Sequence, residues 1–330
     1  MKNFNFSGSY FKVGVQKGKI YRRCGLKNLN FPINHEHLKK QKAIYEKFYP
    51  EYFEELKGIA FVTKSSIEQI ENFFLVKDVL DLPQKGCTIF GIKNSNGILI
   101  GRNYDWRAAA EKFMCYFLAK IEKKNKYVGI TDRDTMPLAN FNGKIHTFEA
   151  EDAINEHGLY IGLTAAHHPS RGFGLGSIGI IRWVAENCSS TKEALQFLKR
   201  VEIANPKNFF IADLSGDMAV FEQAGGKKKI IMPEKDFLVK TNHFLDDELA
   251  LEEIKQNIGN SVSRFSAVQE VLKKSSGRQT QDSLIKILRN DKVCANDIKT
   301  KWKTIWQLAL NMRDKKYFLF HGKHKINLRI

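Results

Sequence analysis

The chain has 330 residues and a mass of 37.9 kDa, and 43% of its residues are hydrophobic and 12% aromatic. This composition excludes disorder as the main state, and the lack of about 18 consecutive uncharged apolar residues argues against a membrane-spanning helix. Lys and Arg total 53 against 36 Asp and Glu, a net charge of +17. At about 150 residues per domain, the length predicts two domains or one large one.

The positive charge is spread along the chain. Residues 1–86 carry 15 basic and 9 acidic groups, a net charge of +6, and residues 87–330 carry the other 38 and 27, a net charge of +11. No base-stacking motif, helix-turn-helix or zinc-finger spacing accompanies the lysine runs at 120–126 and 227–229, which we interpret as solvated turns and helix faces. We predict no nucleic-acid partner, and a basic surface that binds a polyanion stays as an alternative.

The N-terminus and the cysteines bear on the cellular compartment. The first ten residues lack the apolar segment of a secretory signal. The five cysteines are odd in number and form no C-x-x-C pair, a pattern that fits neither a disulfide scaffold nor a thiolate zinc site. They are Cys24, Cys87, Cys115, Cys188 and Cys294. We predict a cytoplasmic protein whose thiols are mostly buried.

The first 80 residues predict mainly helices. Residues 4–21 indicate a strand and a turn that lead into a helix, and residues 37–56 have apolar side chains at helical spacing, interrupted near Pro50. Ser65 and Ser66 offer the N-cap of a further helix that runs through Leu80.

The rest of the chain predicts strands joined by hairpins, with a few helices. Residues 88–92 and 97–101 indicate two strands around an Asn-Gly turn signal. Further strands are predicted at residues 144–150, 159–164, 208–212 and 218–223, and a final hairpin at 304–311 and 316–321. Helices are predicted at residues 178–187, 191–200 with Thr191 as the cap, 261–273 and 282–289. The sequence therefore predicts an α+β fold with an antiparallel sheet, preceded by a helical segment.

The most informative residues flank the first hairpin. Gly86-Cys87-Thr88 precedes it and Gly-Arg-Asn-Tyr-Asp-Trp follows at 101–106. The turn should bring Arg102 and Asp105 near Cys87, although they lie 15 and 18 residues further along. A guanidinium lowers the pKa of a neighbouring thiol, as nucleophilic catalysis requires, and a carboxylate can hold an ammonium or the guanidinium. We therefore predict that Cys87 is a nucleophile.

These residues resemble the start of the mature chain in the choloylglycine hydrolase and acyl-coenzyme A:6-aminopenicillanic acid acyltransferase family of N-terminal-nucleophile hydrolases. The resemblance extends from about residue 8 to residue 270. It includes propeptide-like and downstream blocks at residues 8–18, 57–60, 155–159, 240–244 and 263–265.

The resemblance implies a four-layer αββα fold with antiparallel sheets and self-cleavage between Gly86 and Cys87. We call residues 1–86 the N-terminal segment, expected to be a mainly helical propeptide that is released or retained. Residues 87–330, the C-terminal chain, are expected to be the catalytic domain. Glycine before the nucleophile permits close approach, and the freed α-amine, with a pKa of about 7.7 to 8.0, suits a general base.

The resemblance also implies site roles, residue by residue. Asp105 would hold the amine, Arg102 would orient the thiol, and Arg264 would complete the charge environment. Asn242 would donate to the oxyanion together with a main-chain N–H near Thr164, and such a donor is worth about 10² to 10³ in rate. Hydrolase relatives often carry Asn or Tyr at the position of Thr164, so only the main-chain contribution carries over.

The implied reaction is cleavage of a linear, non-peptide amide through a Cys87 thioester, followed by transfer of the acyl group to water or an amine. The partner is a small N-acyl amide, with no cofactor, metal, nucleic acid or membrane required, and a homo-oligomer stays open. The alternative is a catalytically silent relative that serves as a ligand-binding module.

Other residue patterns have simpler interpretations. Arg102 with Asp105 could be a structural ion pair, Asn242 a turn residue, and Arg264 a surface residue. The Gly-rich run at 174–179 fits a dinucleotide fingerprint but lacks a β-α-β context. The histidines near residues 35 and 167 lack a third ligand at metal-binding spacing.

Overall fold

The computed structural model describes residues 1–76, 86–95, 97–132, 148–255, 258–275, 277–297 and 301–330. The helices are α1 (Tyr10–Arg23), α2 (His35–Phe48), α3 (Tyr52–Thr63), α4 (Ile67–Glu71), α5 (Ser177–Asn187), α6 (Thr191–Arg200), α7 (Asp247–Ala250), α8 (Ser261–Lys274) and α9 (Gln281–Leu288), with a π-helical turn at Asn72–Val76 and a 3₁₀ turn at Ala108–Phe113. The strands are β1 (Lys2–Gly8), β2 (Gly86–Asn94), β3 (Gly97–Arg107), β4 (Cys115–Ile121), β5 (Tyr127–Thr131), β6 (Asp152–Asn155), β7 (Tyr160–Ala165), β8 (Lys207–Ala212), β9 (Met218–Ala224), β10 (Lys227–Ile231), β11 (Phe237–Lys240), β12 (Asn296–Asp297), β13 (Trp302–Asn311), β14 (Lys316–His321) and β15 (His324–Leu328).

The strands form two sheets. One has eight strands in the order β1-β4-β5-β6-β7-β8-β9-β10, and the other has the order β11-β2-β3-β13-β14-β15 with β12 paired to β13. The pairs of described strands are antiparallel, except that β1 runs parallel to β4. The prediction of antiparallel sheets is confirmed.

Side-chain alternation along the strands produces four layers. On β7, Ile161 and Leu163 face the helices α1–α6, whereas Tyr160 points into the core between the two sheets. On β2, Ile89 points into the same inter-sheet core, and Phe90 packs with α8 and α9 on the far side. The protein is therefore a helix–sheet–sheet–helix sandwich, and the predicted αββα fold is confirmed.

Most predicted elements are present, with several differences. Of the predicted strand at 144–150, residues 144–147 lie outside the described residues and 148–150 form no strand. Residues 77–80 of the helix predicted after Ser66 also lie outside the described residues. The cap of α6 is Ser190, whose hydroxyl accepts the Glu193 N–H, so the prediction of Thr191 is wrong. The final hairpin gains a third strand, β15.

Helices α1 and α3 cross at their main chains. An added Cβ at Gly14 would lie 2.1 Å from the main-chain carbonyl oxygen of Glu55, and one at Gly58 would lie 2.3 Å from that of Phe11. Only glycine permits this approach. Helices α1–α4 are thereby part of the helical layer that packs against the eight-stranded sheet. No helix of the described residues is both long and apolar enough to span a bilayer.

Candidate active site

The β2–β3 hairpin positions the cysteine singled out in the sequence. Cys87 is the second residue of β2, is fully buried, and belongs to the core between the sheets. The register places Gly86 opposite Asp105, and Ile89 opposite Arg102. The structure thus brings together the three residues whose proximity the hairpin predicted.

The main chain of Cys87 is held by two side chains from other elements. Its N–H donates to Asn242 Oδ1 at 2.9 Å. Arg264 Nη1 donates to its carbonyl oxygen and, at 2.8 Å, to Thr88 Oγ1, while Nη2 donates to Asn242 Oδ1 at 2.8 Å. Arg264 is buried, so it is not the surface residue of the simpler interpretation. Asn242 and Arg264 fix the start of β2 from the loop after β11 and from α8.

Arg102 lies beneath the thiol in a fully buried position. Its guanidinium hydrogen-bonds the Cys87 thiol and pairs with the Asp152 carboxylate, with 3.2 Å between Nε and Oδ1 and 3.3 Å between Nη2 and Oδ2. Nη2 also donates to the Leu163 carbonyl at 3.0 Å. The cation is therefore fixed in orientation by β6 and β7 while it contacts the thiol from β3.

Asp105 has one occupied and one open carboxylate oxygen. Thr304 Oγ1 donates to Oδ1 at 2.6 Å, whereas Oδ2 is buried and has no hydrogen-bond partner among the described residues. A Cβ at position 86 would lie 3.1 Å from Oδ2, so Gly86 passes directly over this oxygen. Burial raises the pKa of Asp105 above its ordinary value, although Arg264, Thr304 and Arg102 favour the carboxylate.

The pKa of the Cys87 thiol differs from the sequence expectation. Burial raises it above the ordinary value, and the charge and hydrogen bond of Arg102 offset this only in part. The expectation of a lowered pKa is therefore wrong for this continuous chain, because desolvation of a thiolate outweighs one guanidinium. Cys87 is held as a neutral thiol here.

Thr164 lies in β7 behind Asn242. Its hydroxyl donates to the Thr241 carbonyl at 2.6 Å and accepts from Asn208 Nδ2 at 3.1 Å. The Asn242 amide donates through Nδ2 to the Ala165 carbonyl at 3.1 Å. The Thr164 side chain thus contacts the chain around Asn242, and in this state the Asn242 amide group is bonded to a carbonyl oxygen.

A model of the family described as acyl-coenzyme A:6-aminopenicillanic acid acyl-transferase matches residues 92–325, which is 234 of 330 residues. The chain belongs to this acyl-transferase family. The matched region begins after Cys87 and contains Arg102, Asp105, Asn242 and Arg264. The resemblance to this family found in the sequence is confirmed, and the chain is an enzyme of the amidohydrolase and acyltransferase type.

Solved structures share the fold of this acyl-transferase family member. A variant of the conjugated bile acid hydrolase from Clostridium perfringens aligns with a TM-score of 0.53 at 13% identity, covering 73% of this chain and 92% of that chain. The N-acylethanolamine-hydrolyzing acid amidase ortholog of Caenorhabditis elegans aligns with a TM-score of 0.51 at 15% identity, covering 74% and 100%. No curated protein matches the chain in a sequence comparison.

Sequence reasoning missed two residues that support this family member's site. Asp152 pairs with Arg102 and accepts the Tyr160 hydroxyl, and burial raises its pKa to about 6, although Arg102 and Tyr160 favour the ionised form. Thr304 donates to Asp105 from β13. Neither carries a local signal, because Asp152 is one of three acidic residues within 149–152 and Thr304 looks like any strand threonine.

The site holds no arrangement typical of a metal centre. Within the described ranges, no group of three or more His, Cys, Asp or Glu side chains is placed to bind a metal ion. Arg102 and Arg264 lie next to Cys87, and their cationic side chains suit an anionic or polarised oxygen rather than a cation.

Proposed function

We propose that this chain cleaves itself between Gly86 and Cys87 and then acts as a cysteine amidohydrolase or acyltransferase on linear, non-peptide amides. The observation that carries the proposal is the open Oδ2 of Asp105 beside Gly86, the residue directly before the main-chain nitrogen that cleavage would turn into an amine. A buried, unpaired carboxylate oxygen is costly, and an ammonium at this position would satisfy it.

In the proposed self-processing step, the Cys87 sulfur attacks the Gly86 carbonyl carbon. The C–N bond breaks, the thiol proton passes to the departing nitrogen, and a thioester forms that water hydrolyses to a Gly86 carboxylate and a free thiol. Asn242 and Arg264 hold the Cys87 main chain during this exchange.

In the proposed turnover, the α-amine of Cys87 takes the proton of its own thiol, and Asp105 holds the resulting ammonium. The sulfur attacks the substrate carbonyl carbon, and the Asn242 amide binds the resulting oxyanion. The amine part of the substrate then leaves with the proton that the Cys87 α-amine had taken. Water or a second amine then attacks the thioester carbonyl and releases the acyl group. Arg102 lies at the sulfur throughout and stabilises the thiolate.

The substrate class follows from this chemistry and from the family. A bile acid hydrolase and an N-acylethanolamine-hydrolyzing amidase share the fold, and both names describe cleavage of an acyl–nitrogen bond in a small molecule. We therefore assign an N-acyl amide as the substrate.

All five cysteines, each within a described range, are free, which supports the proposed reducing cytoplasm.

We also propose that the N-terminal segment stays bound after cleavage. Glu55 accepts from Arg182 Nη1 at 2.8 Å, and Glu186 accepts from the hydroxyls of Tyr10 and Tyr49. All five side chains are buried, and separation of the two parts would expose unpaired charges. Strand β1 is also hydrogen-bonded along its length to β4.

Intact-mass measurement of the purified protein tests self-processing. We expect two fragments whose masses sum to that of the precursor plus one water. Cys87→Ala should stay uncut and inactive, whereas Cys115→Ala, which removes another buried thiol, should be cut normally. Processing of Cys87→Ala at Gly86 would contradict the mechanism.

Amine release from conjugated bile salts, N-acylethanolamines, penicillin V and N-acyl amino acids tests the substrate class. Competition between water and an added amine for the acyl group distinguishes hydrolase from acyltransferase. Size-exclusion chromatography of the processed protein tests retention, since both fragments should elute together until denaturant is added. Early separation of the fragments would contradict it.

A further inference from the structure

A second buried ion pair lies on the other side of Asn242 from Cys87. Lys240 ends β11 and Glu222 lies in β9, so the pair joins the two sheets, and neither side chain is exposed. Burial lowers the pKa of Lys240, while Glu222 opposes this effect. A buried pair of this kind offers little net stability over apolar residues of the same size, and the proposed chemistry does not use it.

The remaining hydrogen bonds of this pair all go to one loop. Lys240 Nζ also donates to the His243 carbonyl. Glu222 Oε1 accepts the Leu245 N–H at 2.8 Å, and Oε2 accepts the Asp246 N–H at 3.0 Å. The ion pair thus binds residues 243, 245 and 246, just after Asn242, while Lys240 itself lies two residues before it.

Further polar contacts hold the start of the loop, while Phe244 packs in a small apolar cluster with Ala224 and Leu249. Ser261 Oγ accepts the N–H groups of Asn242 at 2.8 Å and His243 at 3.0 Å, and the Thr241 carbonyl accepts the Thr164 hydroxyl. The main chain at Asn242 and His243 is therefore held by fixed hydrogen bonds, and so is the position of the Asn242 amide relative to the Cys87 N–H.

We infer that Glu222 and Lys240 are positioning residues, a clamp that holds the 241–246 loop so that the Asn242 amide lies at the reacting carbonyl. The inference rests on the proposed function for its effect on rate. The placement of the loop can be measured without any substrate.

Lys240→Met would leave Glu222 unpaired and free the His243 carbonyl, and Glu222→Gln would keep the size but remove the charge. Because a misplacement of about 1 Å can cost 10²-fold, we expect each variant to lower kcat by about 10- to 100-fold and to leave KM within about threefold. Lys240→Arg should recover part of the loss. Lys17→Met, which breaks a buried pair with Glu55 in the outer helix layer, is the matched control and should leave kcat unchanged.

Two measurements decide the inference. The first needs no substrate, and the second is a rate measured with penicillin V as the probe. First, amide hydrogen exchange in the 241–246 loop should accelerate in Lys240→Met and not in Lys17→Met; unchanged exchange would overturn the clamp whether or not the enzyme is active. Second, Lys240→Met should cost little further rate in an Asn242→Ala background, and an undiminished further loss would show that Lys240 does not act through Asn242. If the wild-type protein neither processes nor turns over, the proposed function alone is refuted, and faster exchange in Lys240→Met would still support the clamp.

Discussion

Replacing Glu55 by Gln should weaken the protein in a pH-dependent way. Burial works to raise the pKa of Glu55, but the charges of Arg182 and Lys17 lower it from 4.5 to about 2. At about 1.36 kcal/mol per pKa unit, this difference is worth ~3 kcal/mol. The folded protein binds the Glu55 proton less tightly than the unfolded chain does. The contribution is therefore complete above about pH 4.5 and is lost as the pH falls toward 2.

The assay is urea unfolding of wild type and Glu55→Gln, followed by circular dichroism between pH 7 and pH 3. The free energy of unfolding should differ by ~3 kcal/mol at pH 7, and this difference should shrink by about half at pH 3. Glu54→Gln is the control, because Glu54 is exposed on the same helix and pairs with Lys57 at the surface, which is worth at most about 1 kcal/mol. A wild-type advantage that is constant with pH would refute the reasoning.

Three further predictions concern other parts of the molecule. Gly58→Ala should destabilise the protein by about 1 to 3 kcal/mol through overpacking of α1 against α3, and an unchanged melting temperature would contradict this. Thr304→Val should raise the pKa of Asp105 further and shift the pH–rate profile, whereas Thr304→Ser should restore it. In the unprocessed chain, iodoacetamide should label Cys87 more slowly than the partly buried Cys24, which peptide mass mapping would show, and faster labelling of Cys87 would contradict its burial as a neutral thiol.

The elements with strong local signals could be predicted from the sequence. The Asn-Gly turn signal before Gly97 predicted the β2–β3 hairpin, and the serine cap at Ser66 predicted α4. Strands β4, β5 and β6 were missed. Of these, β5 and β6 are buried on both faces and show no alternation. The lysine run at 227–229 forms an edge strand rather than a turn or helix face. Two of its side chains, Lys227 and Lys229, pair with Glu248.

The candidate site shows a similar division. The proximity of Arg102 and Asp105 to Cys87 follows from one turn and could be predicted from spacing. The pairing of Arg102 with Asp152, 50 residues away, depends on how two sheets stack. The pKa of Cys87 was misjudged for the same reason, because the sequence names the neighbouring cation but not the depth of burial.

Strand β1 also closes one edge of the eight-stranded sheet. All seven of its residues pair with β4, whose alternate residues Phe117 and Ala119 are buried. A C-terminal chain produced alone would present this edge to solvent, and an unpaired apolar edge strand recruits other chains into aggregates. We therefore expect strand β1 of the N-terminal segment to protect this edge from aggregation. Recombinant production should keep both parts in one reading frame.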